Sequence, residues 1–173
     1  EVNLRKTELK ALQAQINPHF MYNTLFSIKC AVDMGRKDEA GHMLTTFIQL
    51  LRGVLSGPDE MMTIRSQMES IRQYVELQRF RYDGAFDALI ECDEQAADCL
   101  IPKLLIQPLV ENALYHGIKN KRGKGKILIT GKKQGDKIIF QVIDNGKGMT
   151  EEELNSLRKK MAGTDTGDEA KGF

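Results

Sequence analysis

Three short stretches carry residue types that could do chemistry. In Ile16-Asn17-Pro18-His19-Phe20-Met21-Tyr22-Asn23, His19 falls three residues after Ile16 and four before Asn23. A helix places these three on one face, with Gln15 on an adjoining row. Near pH 7 an imidazole is largely neutral and nucleophilic at nitrogen. Gln15 or Asn23 could hydrogen-bond one ring nitrogen and leave the other free; a satisfied interior histidine beside a proline kink is the plainer alternative. In Glu111-Asn112-Ala113-Leu114-Tyr115-His116-Gly117, Asn112 and His116 are four apart and face the same way on a helix. An amide oxygen suits Mg²⁺, which prefers oxygen ligands and keeps several waters, and an imidazole N–H can donate to a phosphate oxygen. The alternative is ordinary polar decoration of a helix. The third stretch is Asp144-x-Gly146-x-Gly148, directly after an apolar run. A buried carboxylate at a strand end can accept from an exocyclic amine such as that of adenine, and the glycines let backbone approach a ligand. The same composition also makes common turns.

These residues need elements to hold them. Leu9, Leu12 and Ile16, then Met21, Leu25, Ile28 and Val32, predict a long helix over residues 3–33 that stops at Gly35. A second helix is expected from Asp38 to Leu55, broken by Gly57-Pro58, with a wide apolar face from Ala40 to Leu55. A lone hairpin cannot bury so broad a face, so a second copy is expected to complete a four-helix bundle. A third helix is expected over 64–83, with Ser66-x-x-Glu69 as a capping box, then a strand over Phe86–Cys92. Ile101–Ile118 reads as one helix and Lys119–Gly125 as a basic loop. Ile127–Gly131 and Lys137–Ile143 read as a hairpin through Gln134-Gly135-Asp136. A last helix starts at Thr150 with a capping box to Glu153. The order predicts an α+β fold: a helical domain over residues 1–60, then an α/β sandwich over 61–173.

Composition narrows the field. With 173 residues the chain suits about one domain, or one with a small appendage. Its 25 Lys+Arg against 24 Asp+Glu leave a net charge of +1, which argues against a generally cationic nucleic-acid binder. No apolar run approaches the ~20 residues that span a bilayer. The three cysteines, Cys30, Cys92 and Cys99, have neither disulfide nor zinc spacing and read as buried thiols in a reducing compartment. The chain opens on Glu1 with no signal peptide, and is expected to be a piece of something longer.

Together the stretches are stronger than any one. Gln13–Leu25, with its N-P-H-F-x-x-N-T-L block, Gln107-Pro108-Leu109-Val110-Glu111-Asn112-Ala113 and Asp144–Met149 resemble the LytS/YesM-like sensor histidine kinases over roughly residues 8–149. The later two blocks also resemble the wider GHKL group of ATP-binding domains. The resemblance implies a dimerising helical hairpin and a GHKL-type sandwich incomplete at its C-terminus. It implies His19 as phosphoacceptor with Asn23 beside it, Asn112 as the Mg²⁺ ligand and His116 along the triphosphate. Asp144 would read the adenine amino group, and Gly146, Gly148 and Met149 would pack against the nucleotide. ATP and Mg²⁺ are the implied cofactors, and the γ-phosphoryl would pass to His19 and then to a response-regulator aspartate. The implied partners are a second copy, through residues 1–56, and the regulator, with no nucleic acid. The parent would be anchored in a bacterial inner or plasma membrane by upstream segments, with this portion cytoplasmic.

The sequence departs from the family pattern in three places. Phe20 stands where many histidine kinases have an acid after the acceptor, which leaves Glu111 as a candidate proton acceptor, with Asn23 or Gln15 as orienters. Tyr115 stands where many have Lys, and Lys119, Lys121, Arg122 and Lys124 could supply the phosphate charge instead. The Gly-rich lid box expected after Met149 is missing, unless Gly172-Phe173 begins it, so weak nucleotide binding is expected of residues 1–173 alone. Two alternatives are an inactive dimeric signalling module and a hydrolytic GHKL ATPase. The latter places a water-activating Glu four residues before the asparagine, where this chain has Pro108.

Overall fold

A computed structural model describes residues 18–55, 61–119, 121 and 123–162. Helix α1 (Pro18–Asp33) and helix α2 (Lys37–Leu55) form the expected hairpin. The stop is at Gly35, whose φ of +77° suits a residue without Cβ, and the Gly35 and Arg36 amides donate to Val32 and Ala31. The stripe expected over residues 3–17 and the break at Gly57-Pro58 lie outside the described residues.

Strand β1 (Met61–Thr63) leads into helix α3 (Ile64–Arg81). The Thr63 hydroxyl caps this helix by accepting from the Ser66 amide at 3.2 Å. The expected Ser66–Glu69 capping box is therefore corrected: Ser66 lies inside the first turn, and the cap is three residues earlier. Helix α3 packs on both hairpin helices. Phe20 is the hinge of that packing, its ring 4.7 Å from Tyr74 and 6.4 Å from Phe47 between centroids. Met43, Phe47 and Leu50 of α2 are buried in the same cluster as Ile71, Tyr74 and Leu77 of α3. Much of the broad face assigned to a second copy is thus covered within the chain. Tyr22, Leu25, Phe26 and Val32 on α1, with Leu44 and Ile48 on α2, remain exposed.

Strand β2 (Phe86–Cys92) pairs in parallel with β4 (Gly125–Gln134), and β4 pairs antiparallel with β5 (Lys137–Asp144). The register Gln134↔Lys137 leaves a two-residue turn, with Gly135 at φ +61°. Ile127 and Ile129 of β4 are buried in the cluster that holds α3, while Leu89 and Ile143 are exposed, so the helices cover one face of the sheet. Between β2 and β4 the single helix expected over 101–118 is overturned. Leu100–Pro102 is strand β3, paired antiparallel with β1, and helix α4 begins only at Gln107. Pro102 disfavours the helical region at Ile101, and Leu104 takes φ +60°. Helix α4 (Gln107–Asn112) runs straight into a π-helical turn at Ala113–Ile118. Helix α5 (Glu151–Met161) follows β5 and has no buried residue. Among the described residues no helix is long and apolar enough to cross a membrane.

Candidate active site

Helix α4 starts with Pro108 in its first turn, where a missing N–H costs nothing. Its continuation as a π-turn is an uncommon geometry that recurs at functional sites. Asn112 and His116 lie on this segment and both are exposed. Opposite them β5 ends at Asp144. The loop behind it is stitched down by Asn145, which exchanges bonds with Lys126: the Asn145 amide donates to the Lys126 carbonyl at 3.1 Å, and the Lys126 amide donates to Asn145 Oδ1 at 2.7 Å. The Asp144 carboxylate accepts from the Gly146 amide at 2.8 Å.

Between these walls and α5 lies a cleft of about 870 Å³, within the range of small-ligand sites. Asn112, His116, Asp144, Gly148 and Met149 line it together. Gly146 sits against the Gly117 backbone, which a Cβ on Gly146 would overlap. Asp144, expected to be buried, is exposed into the cleft at the end of an edge strand. His19 and Asn23 are not part of this lining. His19 is exposed in the first turn of α1, and Asn23 is half-buried, its Nδ2 without a hydrogen-bond partner among the described residues.

Of the basic loop, Lys119, Lys121 and Lys124 are not in the cleft lining, and Arg122 lies outside the described residues. Lys121 donates to the Asn145 carbonyl at 2.7 Å, and Lys124 pairs with Asp87 at 2.8 Å and holds that carboxyl below its usual range. Lys147 and Lys160 line the cleft instead. Lys147 lay in plain view between the two glycines, and Lys160 falls on the helix face that repeats at Ser156 and Glu152, a spacing of four. Leu109 and Val142 supply apolar wall, and Glu152 and Glu153 line the cleft as well.

Among the described residues no three His, Cys, Asp or Glu side chains cluster to hold a metal. Asn112, on the cleft wall, carries an amide oxygen, a donor of the kind Mg²⁺ takes. Glu111 is outside the cleft lining. It accepts from Gln107 Nε2 at 3.0 Å, and its charge adds to the burial that drives the Tyr74 phenol pKa up.

Two family models match the chain in succession. Residues 7–86 match the histidine kinase family model. Residues 99–173 match the model of histidine kinase-, DNA gyrase B- and HSP90-like ATPases. The chain is 38% identical over 84% of its length to the sensor histidine kinase YesM of Bacillus subtilis, covering 25% of that protein. It is 35% identical over 83% of its length to the sensor histidine kinase YpdA of Escherichia coli, covering 25% of it. It is 31% identical over 95% of its length to the sensor protein LytS of Staphylococcus epidermidis, covering 28% of it. The chain therefore spans about a quarter of the length of these relatives. The two family models together span most of the chain, relatives such as YesM and YpdA are sensor histidine kinases, and the chain belongs to the sensor histidine kinase family.

Proposed function

We propose that this chain is the catalytic core of a two-component sensor histidine kinase that uses ATP in the cleft to phosphorylate His19. The observation that carries the reading is that Asn112, His116 and Asp144, drawn from two separate stretches of sequence, line one cleft. Asp144 would accept from the adenine amino group, with Leu109 and Val142 against the base. His116, Lys147 and Lys160 would meet the phosphates, and Asn112 would hold Mg²⁺. Bound there, Mg²⁺ would neutralise charge on the phosphates. Phosphoryl transfer needs mainly positioning and charge neutralisation, so residues from two domains suffice.

In the transfer a His19 ring nitrogen bonds to the γ-phosphorus, the bond from that phosphorus to the β,γ-bridging oxygen breaks, and ADP leaves. His19 gives up its ring proton, with Glu111 the candidate acceptor, and the phosphoryl group then passes to a response-regulator aspartate. Residues 1–60 form the dimerisation and phosphotransfer unit in this account and 61–173 the ATP-binding unit. The exposed α1 face is offered to a second copy. In this reading upstream segments anchor the parent in a bacterial membrane and leave this portion on the cytoplasmic side.

Pro108, four residues before Asn112, cannot act as a base and speaks against a hydrolytic ATPase. An inactive signalling module is the third outcome. The full-length protein incubated with γ-labelled ATP and Mg²⁺ separates them. Acid-labile, alkali-stable label that vanishes in His19→Gln supports the kinase. Phosphate release without protein label supports the ATPase, and neither product supports the module.

A further inference from the structure

Gly117 lies in the π-turn, one residue beyond His116, and its backbone is not left-handed. Conformational freedom therefore does not explain a glycine there, where alanine would favour the helix more. Space explains it. A Cβ built on Gly117 would overlap Oδ1 of Asp144 and lie 2.8 Å from its Cγ. The same carboxylate accepts from the Gly146 amide, and the Lys147 amide donates to the Gly117 carbonyl at 3.3 Å. The two glycines thus form one interlock between the π-turn and the loop after β5. Their neighbours differ in kind: a Cβ on Gly146 would meet the rigid backbone of Gly117, whereas a Cβ on Gly117 would meet the movable end of a side chain.

We propose that Gly117 is a positioning residue for base recognition: its missing Cβ leaves the space in which the Asp144 carboxylate stands on the cleft wall. The proposal rests on the reading of the cleft as a nucleotide site. Alanine at 117 would swing the carboxylate off the Gly146 amide and away from the base, with little for the rest of the fold to absorb.

The test is binding of non-hydrolysable ATP and GTP analogues to full-length protein by calorimetry, with thermal melts alongside. Gly117→Ala is expected to melt no lower than wild type. Its affinity for the ATP analogue should fall about tenfold or more, the scale of a hydrogen bond to a charged group, and its preference over the GTP analogue should fall with it. In an Asp144→Ala background the same change should alter affinity by less than about twofold, as one shared interaction requires. Wild-type affinity in Gly117→Ala, or an undiminished loss in the Asp144→Ala background, overturns the inference while leaving the nucleotide site standing. Wild-type protein that holds neither analogue overturns both. Should Gly117→Ala fail to fold, Gly117→Ala with Asp144→Ala must fold, because the overlapping carboxylate is gone; a double variant that also fails overturns the inference.

Discussion

Oδ1 of Asp144 takes the Gly146 amide at 2.8 Å, and Oδ2 is the atom that the proposed reading gives to the base. Asp144→Asn keeps an oxygen for Gly146 and can turn an amide N–H toward the base, where a donor would face a donor. The fold should be unaffected, while ATP affinity measured by calorimetry falls about 10- to 100-fold, the range expected for losing a charge-assisted hydrogen bond. Unchanged affinity would remove Asp144 from base recognition. Residue type and spacing made Asn112, His116 and Asp144 candidates, and the family resemblance of their surrounding blocks gave them their expected roles. Gly117, Lys147 and Lys160 were not legible in that way. Their part in the cleft depends on which loops the fold brings together, and Lys121, equally basic in sequence, is spent on a backbone carbonyl.

At the scale of elements, the Thr150 cap and the Gly135 turn were readable because their chemistry is local, whereas the cap of α3 was placed three residues too late. Thr150 and Glu153 form the expected box, each side chain bonded to the other's amide. The segment 101–118 was misread because its apolar spacing resembles a helix, while Pro102 and the left-handed Leu104 divert the backbone to pair with β1. The parallel pairing of β2 with β4 is non-local and left no mark in the sequence. Thr150→Ala should destabilise α5 by about 1 kcal/mol, seen as a loss of helical circular dichroism on heating. The bond from the Thr150 amide holds the Glu153 carboxyl below its usual range. A lowered folded pKa contributes stability that is present above the unfolded value and lost as pH falls through the folded one. The Thr150 amide resonance should therefore shift as pH drops from ordinary carboxylate values, with a midpoint below them. Glu153→Gln should abolish that step, and a midpoint at or above the usual value would contradict the cap.

Across the whole molecule, one continuous apolar cluster runs from the hairpin through α3 to the sheet. Phe20, immediately after His19, is its link to Tyr74. Phe20→Ala should cost about 3–5 kcal/mol in urea unfolding, as expected for a buried phenylalanine, and a cost below about 1 kcal/mol would show that the hairpin does not pack there. The outer face of α1 is different: Tyr22 is 75% exposed and Phe26 65% exposed, four residues apart. Replacing both by serine should shift sedimentation from dimer to monomer with no loss of melting temperature. A wild-type protein that stays monomeric at high micromolar concentration would contradict the paired-hairpin account.

The central claim is that a cleft walled by Asn112, His116 and Asp144 delivers a phosphoryl group to His19. The most direct measurement is fragmentation mass spectrometry, at neutral pH, of full-length protein exposed to Mg-ATP. The account predicts a phosphoryl group on the peptide containing His19 that is lost on acidification and absent from Asn112→Ala protein. Modification at another residue, or equal labelling of His19 in Asn112→Ala protein, would contradict it.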